Sequence, residues 1–157
     1  MKKMFLPLMA IAISSITLFS CEKGNEDPLV EPLASIQHPD STLLVVNVPA
    51  GTDGTVKMVG NMIADYCDNG TASSNCGWQP GSDVATVILD KVSDTRYEKK
   101  VAVSLFTKDD FEFKFVNGNS WDNEELKEDG TSVDNRKGSK GSFKGKAIDF
   151  TVVKFKG

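Results

Sequence analysis

The run Phe111-Glu112-Phe113-Lys114-Phe115-Val116 is the strongest constraint on how this 157-residue chain can fold. Side chains alternate across a β-strand. The three phenylalanines therefore share one face, and Glu112 and Lys114 share the other. Three large rings in a row make a core face. The strand must lie against a second layer, with Lys114 pointing away from it.

The rest of the chain repeats this kind of signal. Residues 43–48 form a short apolar, β-branched run closed by Pro49-Ala50-Gly51, and residues 55–59 alternate polar with apolar. A loop rich in Asn, Asp, Gly and Ser follows over 61–82. Further strands are expected at 84–89, at 97–106 after a Ser93-Asp94 turn, at 111–116 and at 146–155. No stretch holds a useful 3.6-residue period, and no internal repeat is present. Short strands separated by turn residues indicate an all-β sandwich or barrel, and the length suits one domain.

Met1-Lys2-Lys3 followed by an apolar run to Ser20 has the form of a secretory signal peptide. Pro7, Ser14 and Ser15 interrupt the run and argue against a permanent membrane span. Leu18-Phe19-Ser20-Cys21 resembles the bacterial lipobox, which implies lipid on Cys21. Multiple acyl chains there would hold the protein on a membrane stably. The organisation expected is a leader at 1–20, an acidic, proline-containing tether at 21–40 and a domain at 41–157. Lys23 followed by Glu26 and Asp27 resembles the export tag of surface lipoproteins in glycan-degrading Gram-negative anaerobes. The expected location is the outer membrane, lipid-anchored and facing outward. With Cys21 carrying lipid, Cys67 and Cys76 remain, eight residues lying between them. In an oxidising compartment these two are expected to pair, contributing about 2–3 kcal/mol. A metal site is the rival, but Cys-x8-Cys with no His nearby is not a zinc spacing. No metal and no cofactor are expected.

Charge and residue types narrow the function. The net charge is −4, and becomes −6 if Lys2 and Lys3 leave with the leader. Nucleic acid is therefore not an expected partner, because the phosphate backbone demands clustered Lys and Arg. The single histidine, His38, lies in the tether beside Pro39. With no usable His, no spare thiol and no G-x-S-x-G elbow, the protein is expected not to be an enzyme. Asp122, Glu124, Glu125, Glu128 and Asp129 lie in a polar, Gly-containing stretch that reads as a solvated loop. Their spacing does not fit an EF-hand, and paired carboxylates for glycoside cleavage would also need a cleft.

Two tryptophans stand among turn residues, Trp78 in Gly77-Trp78-Gln79-Pro80-Gly81 and Trp121 in Asn117-Gly118-Asn119-Ser120-Trp121-Asp122. An exposed indole offers a flat apolar face to the C–H face of a sugar ring, and polar neighbours can bond its hydroxyls. A disulfide beside Trp78 would stiffen that loop and lower the ordering cost of binding.

In order, the chain presents a Val56-Lys57-Met58-Val59-Gly60-Asn61 strand, a Gly77-Trp78 loop and the Phe111-Glu112-Phe113-Lys114-Phe115 strand. Trp121-Asp122 and Asp134-Asn135-Arg136 follow. This order resembles the starch-binding domains attached to glucoamylases and related amylolytic enzymes. The resemblance covers 41–157 and implies an immunoglobulin-like β-sandwich. It implies stacking of glucose units on Trp78 and Trp121 and hydrogen bonds from Lys114 and Asn135, with Asp122 where the family carries Glu. The chain departs from the family in a longer loop before Trp78, the shorter Asp122, and a longer, more acidic 123–134 stretch. The function expected is non-catalytic binding of an oligo- or polysaccharide, first an α-glucan, for other outer-membrane glycan-uptake proteins. The rival is a structural or assembly lipoprotein whose tryptophans dock a protein partner.

Overall fold

The strand centred on Phe113 is the middle of the fold in the computed structural model, which describes residues 39–63 and 76–157. The strands are β1 (Ser41–Asn47), β2 (Val56–Gly60), β3 (Val87–Ile88), β4 (Asp90–Ser93) and β5 (Arg96–Ala102). They continue as β6 (Asp110–Asn117), β7 (Glu125–Leu126), β8 (Arg136–Ser139), β9 (Ala147–Thr151) and β10 (Lys154–Phe155), with one helical turn, α1 (Lys140–Phe143). Residues 1–38, where the leader and most of the tether are expected, lie outside the described residues with Cys21 and His38 among them, as does Cys67. Lipidation and the Cys67–Cys76 pairing are therefore retained as expectations.

The domain is an all-β sandwich. One sheet has the order β4-β5-β1-β9, the other β3-β2-β6-β8, and β7 pairs with β10. β1 runs antiparallel to β5 and parallel to β9, while β6 lies between β2 and β8 and runs antiparallel to both. Phe111, Phe113 and Phe115 are buried as their alternation requires. They meet Leu44 and Val46 of β1, Tyr97 and Val101 of β5, and Met58 of β2 in one apolar cluster. Phe150 of β9 reaches across, its ring centroid 5.5 Å from Phe113 and 5.2 Å from Phe115. Phe143 of α1 meets Phe111 edge-on at 5.2 Å. Such pairs add about 0.5–1.5 kcal/mol each beyond the area they bury.

The structure corrects several strand expectations. The strand expected over 97–106 ends at Ala102, where Val103–Leu105 makes a 3-10 turn that delivers Phe106 to the core. Over 84–89 the strand begins only at Val87, with Leu89 N donating to the Val56 carbonyl at 3.0 Å, because Ser82 ties the preceding residues into a turn, its hydroxyl accepting from Ala85 N and its carbonyl from Thr86 Oγ1. The run 146–155 divides at buried Val152, β9 joining β1 and β10 joining β7. β4 and β8 lack the usual strand signature. They are edge strands, with a neighbour on one side only, so polar side chains and a glycine are tolerated there. In α1 the hydroxyl of Ser139 accepts from Ser142 N in a capping box, enough for one turn.

Lys57 and Val59 stand opposite Val116 and Lys114 in the β2–β6 register, on the outer face of their sheet. That face is not bare. Lys57, Val59 and Val116 are buried, and Lys57 Nζ donates to the Pro80 carbonyl at 3.1 Å and to Asp83 at 2.8 Å. The Trp78-bearing segment is thereby laid across the outer face, beside Lys114.

Candidate binding site

Trp78 closes a 3-10 turn, Cys76–Trp78, and Trp121 opens another, Trp121–Asn123. Glycine lets the first turn sit close, since a Cβ on Gly77 would lie 2.0 Å from the Gly60 carbonyl oxygen. Ser120 caps the second, its hydroxyl accepting from Asp122 N at 3.1 Å. The turns are joined because Trp121 Nε1 donates to the Trp78 carbonyl at 3.2 Å. The two indoles are partly exposed, their ring centroids 6.1 Å apart and their planes tilted by 34°.

Trp78, Lys114, Trp121 and Asn135 converge on one cavity of about 270 Å³, together with Glu124. A cavity of about 660 Å³ beside Asp40, Lys140 and Lys144 is larger but has no aromatic lining. The smaller one combines apolar faces with convergent polar groups, the usual composition of a ligand site. Lys114 Nζ contacts Glu124 Oε2 at 2.9 Å, with side chains only 14% and 16% exposed. Glu124 Oε1 also accepts from Ser132 Oγ at 2.7 Å. Burial opposes ionisation of Glu124. Hydrogen bonds from Ser132 and Lys114, with the charges of Lys114 and Lys156, outweigh it and hold the carboxyl below its ordinary range. Asn135 lies just before β8, and its Nδ2 donates to Glu112 Oε2 at 3.0 Å.

No family model matches the chain, and no curated protein matches it. Among solved structures it is similar to a Glycoside Hydrolase Family 15 glucoamylase from Hypocrea jecorina, at 20% identity and a TM-score of 0.42. The match covers 76% of this chain and 18% of that one, so this chain spans less than a fifth of that structure's length.

Asp122 is not among the residues lining the cavity. It is exposed and accepts from Ser120 Oγ at 3.1 Å. The reason is the turn's period: in a 3-10 helix residues i and i+3 eclipse. Glu124, whose N–H donates to the Trp121 carbonyl, thus returns to the side of Trp121, and Asp122 does not. The sequence reads Glu124 and Glu125 as solvated loop acids, whereas the fold draws both inward. A glutamate three residues after a turn tryptophan was the available signal for Glu124.

Glu125 is fully buried. It accepts from Arg136 Nε at 3.0 Å, from Arg136 Nη2 at 2.7 Å and from Phe115 N at 2.9 Å. The guanidinium lies over the rings of Phe115 and Phe150 at 5.4 and 5.6 Å. This pair fixes the backbone of β7 to that of β8, and so sets Glu124 and Asn135, their immediate neighbours, at the cavity. Among the described residues no cluster of His, Cys, Asp and Glu could hold a metal ion.

Proposed function

We propose that this protein is a non-catalytic carbohydrate-binding protein whose ligand is an α-glucan. The observation that carries the reading is the pair of partly exposed indoles, 6.1 Å apart and tilted by 34°, above Lys114, Glu124 and Asn135. Successive sugar rings stack their C–H faces on Trp78 and Trp121, while the ammonium and amide donate to ring hydroxyls and the Glu124 carboxylate accepts from them. A tilt between the platforms suits a chain that turns from unit to unit, as an α-linked glucan does, better than a flat β-linked ribbon. Glycoside hydrolysis calls for a carboxyl of raised pKa beside a second carboxylate. Glu124 is held ionised, and no second carboxylate lines this cavity. In this reading Cys21 carries lipid, and the tether presents the domain at the outer-membrane surface to glycan-uptake proteins.

One shallow site of this kind gives dissociation constants on the order of micromolar to millimolar. The test is a titration with maltoheptaose, followed by tryptophan fluorescence and heat. A saturable response is expected, and it is lost in Trp78→Ala and Trp121→Ala while both variants keep the wild-type circular dichroism. A folded wild type that gives no response, or a response that survives both substitutions, overturns the reading.

A further inference from the structure

The tryptophan cavity does not stand alone. Asn135, on its rim, donates to Glu112, and Glu112 lines a second cavity of about 390 Å³ with Asn61, Asp110 and Lys137. Glu112 sits two residues from Lys114 on the outer face of β6, and Asp110 two further on. The second cavity therefore continues the first along the strand, and about 14 Å separates the Lys114 and Asp110 positions at roughly 3.4 Å per residue. Lys137 stands opposite Glu112 in the β6–β8 register, its ammonium 4.0 Å from Glu112 Oε1.

We propose that the second cavity is an extension of the sugar site, taking the next units of a neutral oligosaccharide whose first units stack on the tryptophans. The proposal rests on the glycan reading above. Its polar lining is two carboxylates, an amide and an ammonium, all of which bond hydroxyls. Asp110 and Glu112 repel uronate or phosphorylated chains, so the preferred ligand is uncharged. The Asn135–Glu112 hydrogen bond is the shared wall, with Asn135 lining the tryptophan cavity and Glu112 the second.

Glu112 cannot be tested cleanly, because its loss would also release Asn135. Asp110 and Lys137 are exposed, and neither lines the tryptophan cavity. The double variant Asp110→Ala/Lys137→Ala of the full chain is titrated calorimetrically with maltotriose and with maltoheptaose. Loss of a hydrogen bond to a charged group weakens binding by about tenfold. Maltoheptaose is expected to bind about tenfold more weakly than to wild type if one of the two charged groups bonds the chain and about a hundredfold more weakly if both do, with maltotriose unchanged. The statistical advantage of a longer chain survives in the variant, so only lost contacts are read. Unchanged maltoheptaose affinity, or an equal loss for both sugars, overturns the extension and leaves the tryptophan site standing. Failure of wild type to bind either sugar overturns the glycan reading itself.

Discussion

Replacing Glu125 by alanine removes the anion on which the site's frame is built. Glu125 is fully buried and Arg136 is 25% exposed, so the pair sits at the edge of the interior rather than in water. Removing one partner of a buried pair costs about 3–5 kcal/mol, because the other charge is left unpaired. Partial exposure of the guanidinium places this case near 3 kcal/mol, since water can reach part of it. The Phe115 N–H, which donates to the same carboxylate, loses its partner as well and adds about 1 kcal/mol. A loss of about 3–4 kcal/mol corresponds to a midpoint lowered by roughly 15–30 °C in a domain near 100 residues. Urea unfolding at neutral pH, followed by tryptophan fluorescence, measures it directly. Replacing both partners, as Glu125→Leu/Arg136→Met, should recover much of the loss, because no charge is stranded. A loss below about 1 kcal/mol in Glu125→Ala would refute the reasoning, showing that Arg136 swings into solvent and behaves as a surface ion.

Two further outcomes follow from the site. Because the Glu124 carboxyl is held below its ordinary range in the folded protein, its stabilisation is present at neutral pH and fades as pH falls through the carboxylate range. Unfolding midpoints measured against pH should therefore fall less steeply on the acid side in Glu124→Gln than in wild type, and parallel slopes would count against the Lys114–Glu124 contact. Gly77→Ala should displace the Trp78 turn, since the new Cβ would meet the Gly60 carbonyl oxygen at 2.0 Å. Its fluorescence response to maltoheptaose should be lost while the near-ultraviolet signature of the phenylalanine core persists, and wild-type titration behaviour would show that the turn can shift at no cost.

How much of this was legible in the sequence depends on the range of the interaction that fixes each residue. The period of two along 111–116 is set by one strand alone, so it assigned the three phenylalanines to the core and Lys114 to the outer face without any knowledge of partners. β4 and β8 gave no such signal, because an edge strand is held by its neighbour's backbone and its side chains are free to be polar. At the candidate site, Trp78, Lys114, Trp121 and Asn135 were named from the order of short motifs, and they line one cavity. The choice between Asp122 and Glu124 required knowing that the chain after Ser120 turns with a period of three rather than two. The burial of Glu125 lies beyond local reading altogether. A lone glutamate in an acidic stretch belongs in water, and it is drawn inside here by a guanidinium eleven residues away on another strand. A site suspended between β6, β7 and β8 thus depends on a contact whose two halves look like solvated charges in isolation. For that reason substitutions at Glu125 and Arg136, which do not touch the cavity, are expected to loosen Glu124 and Asn135 together.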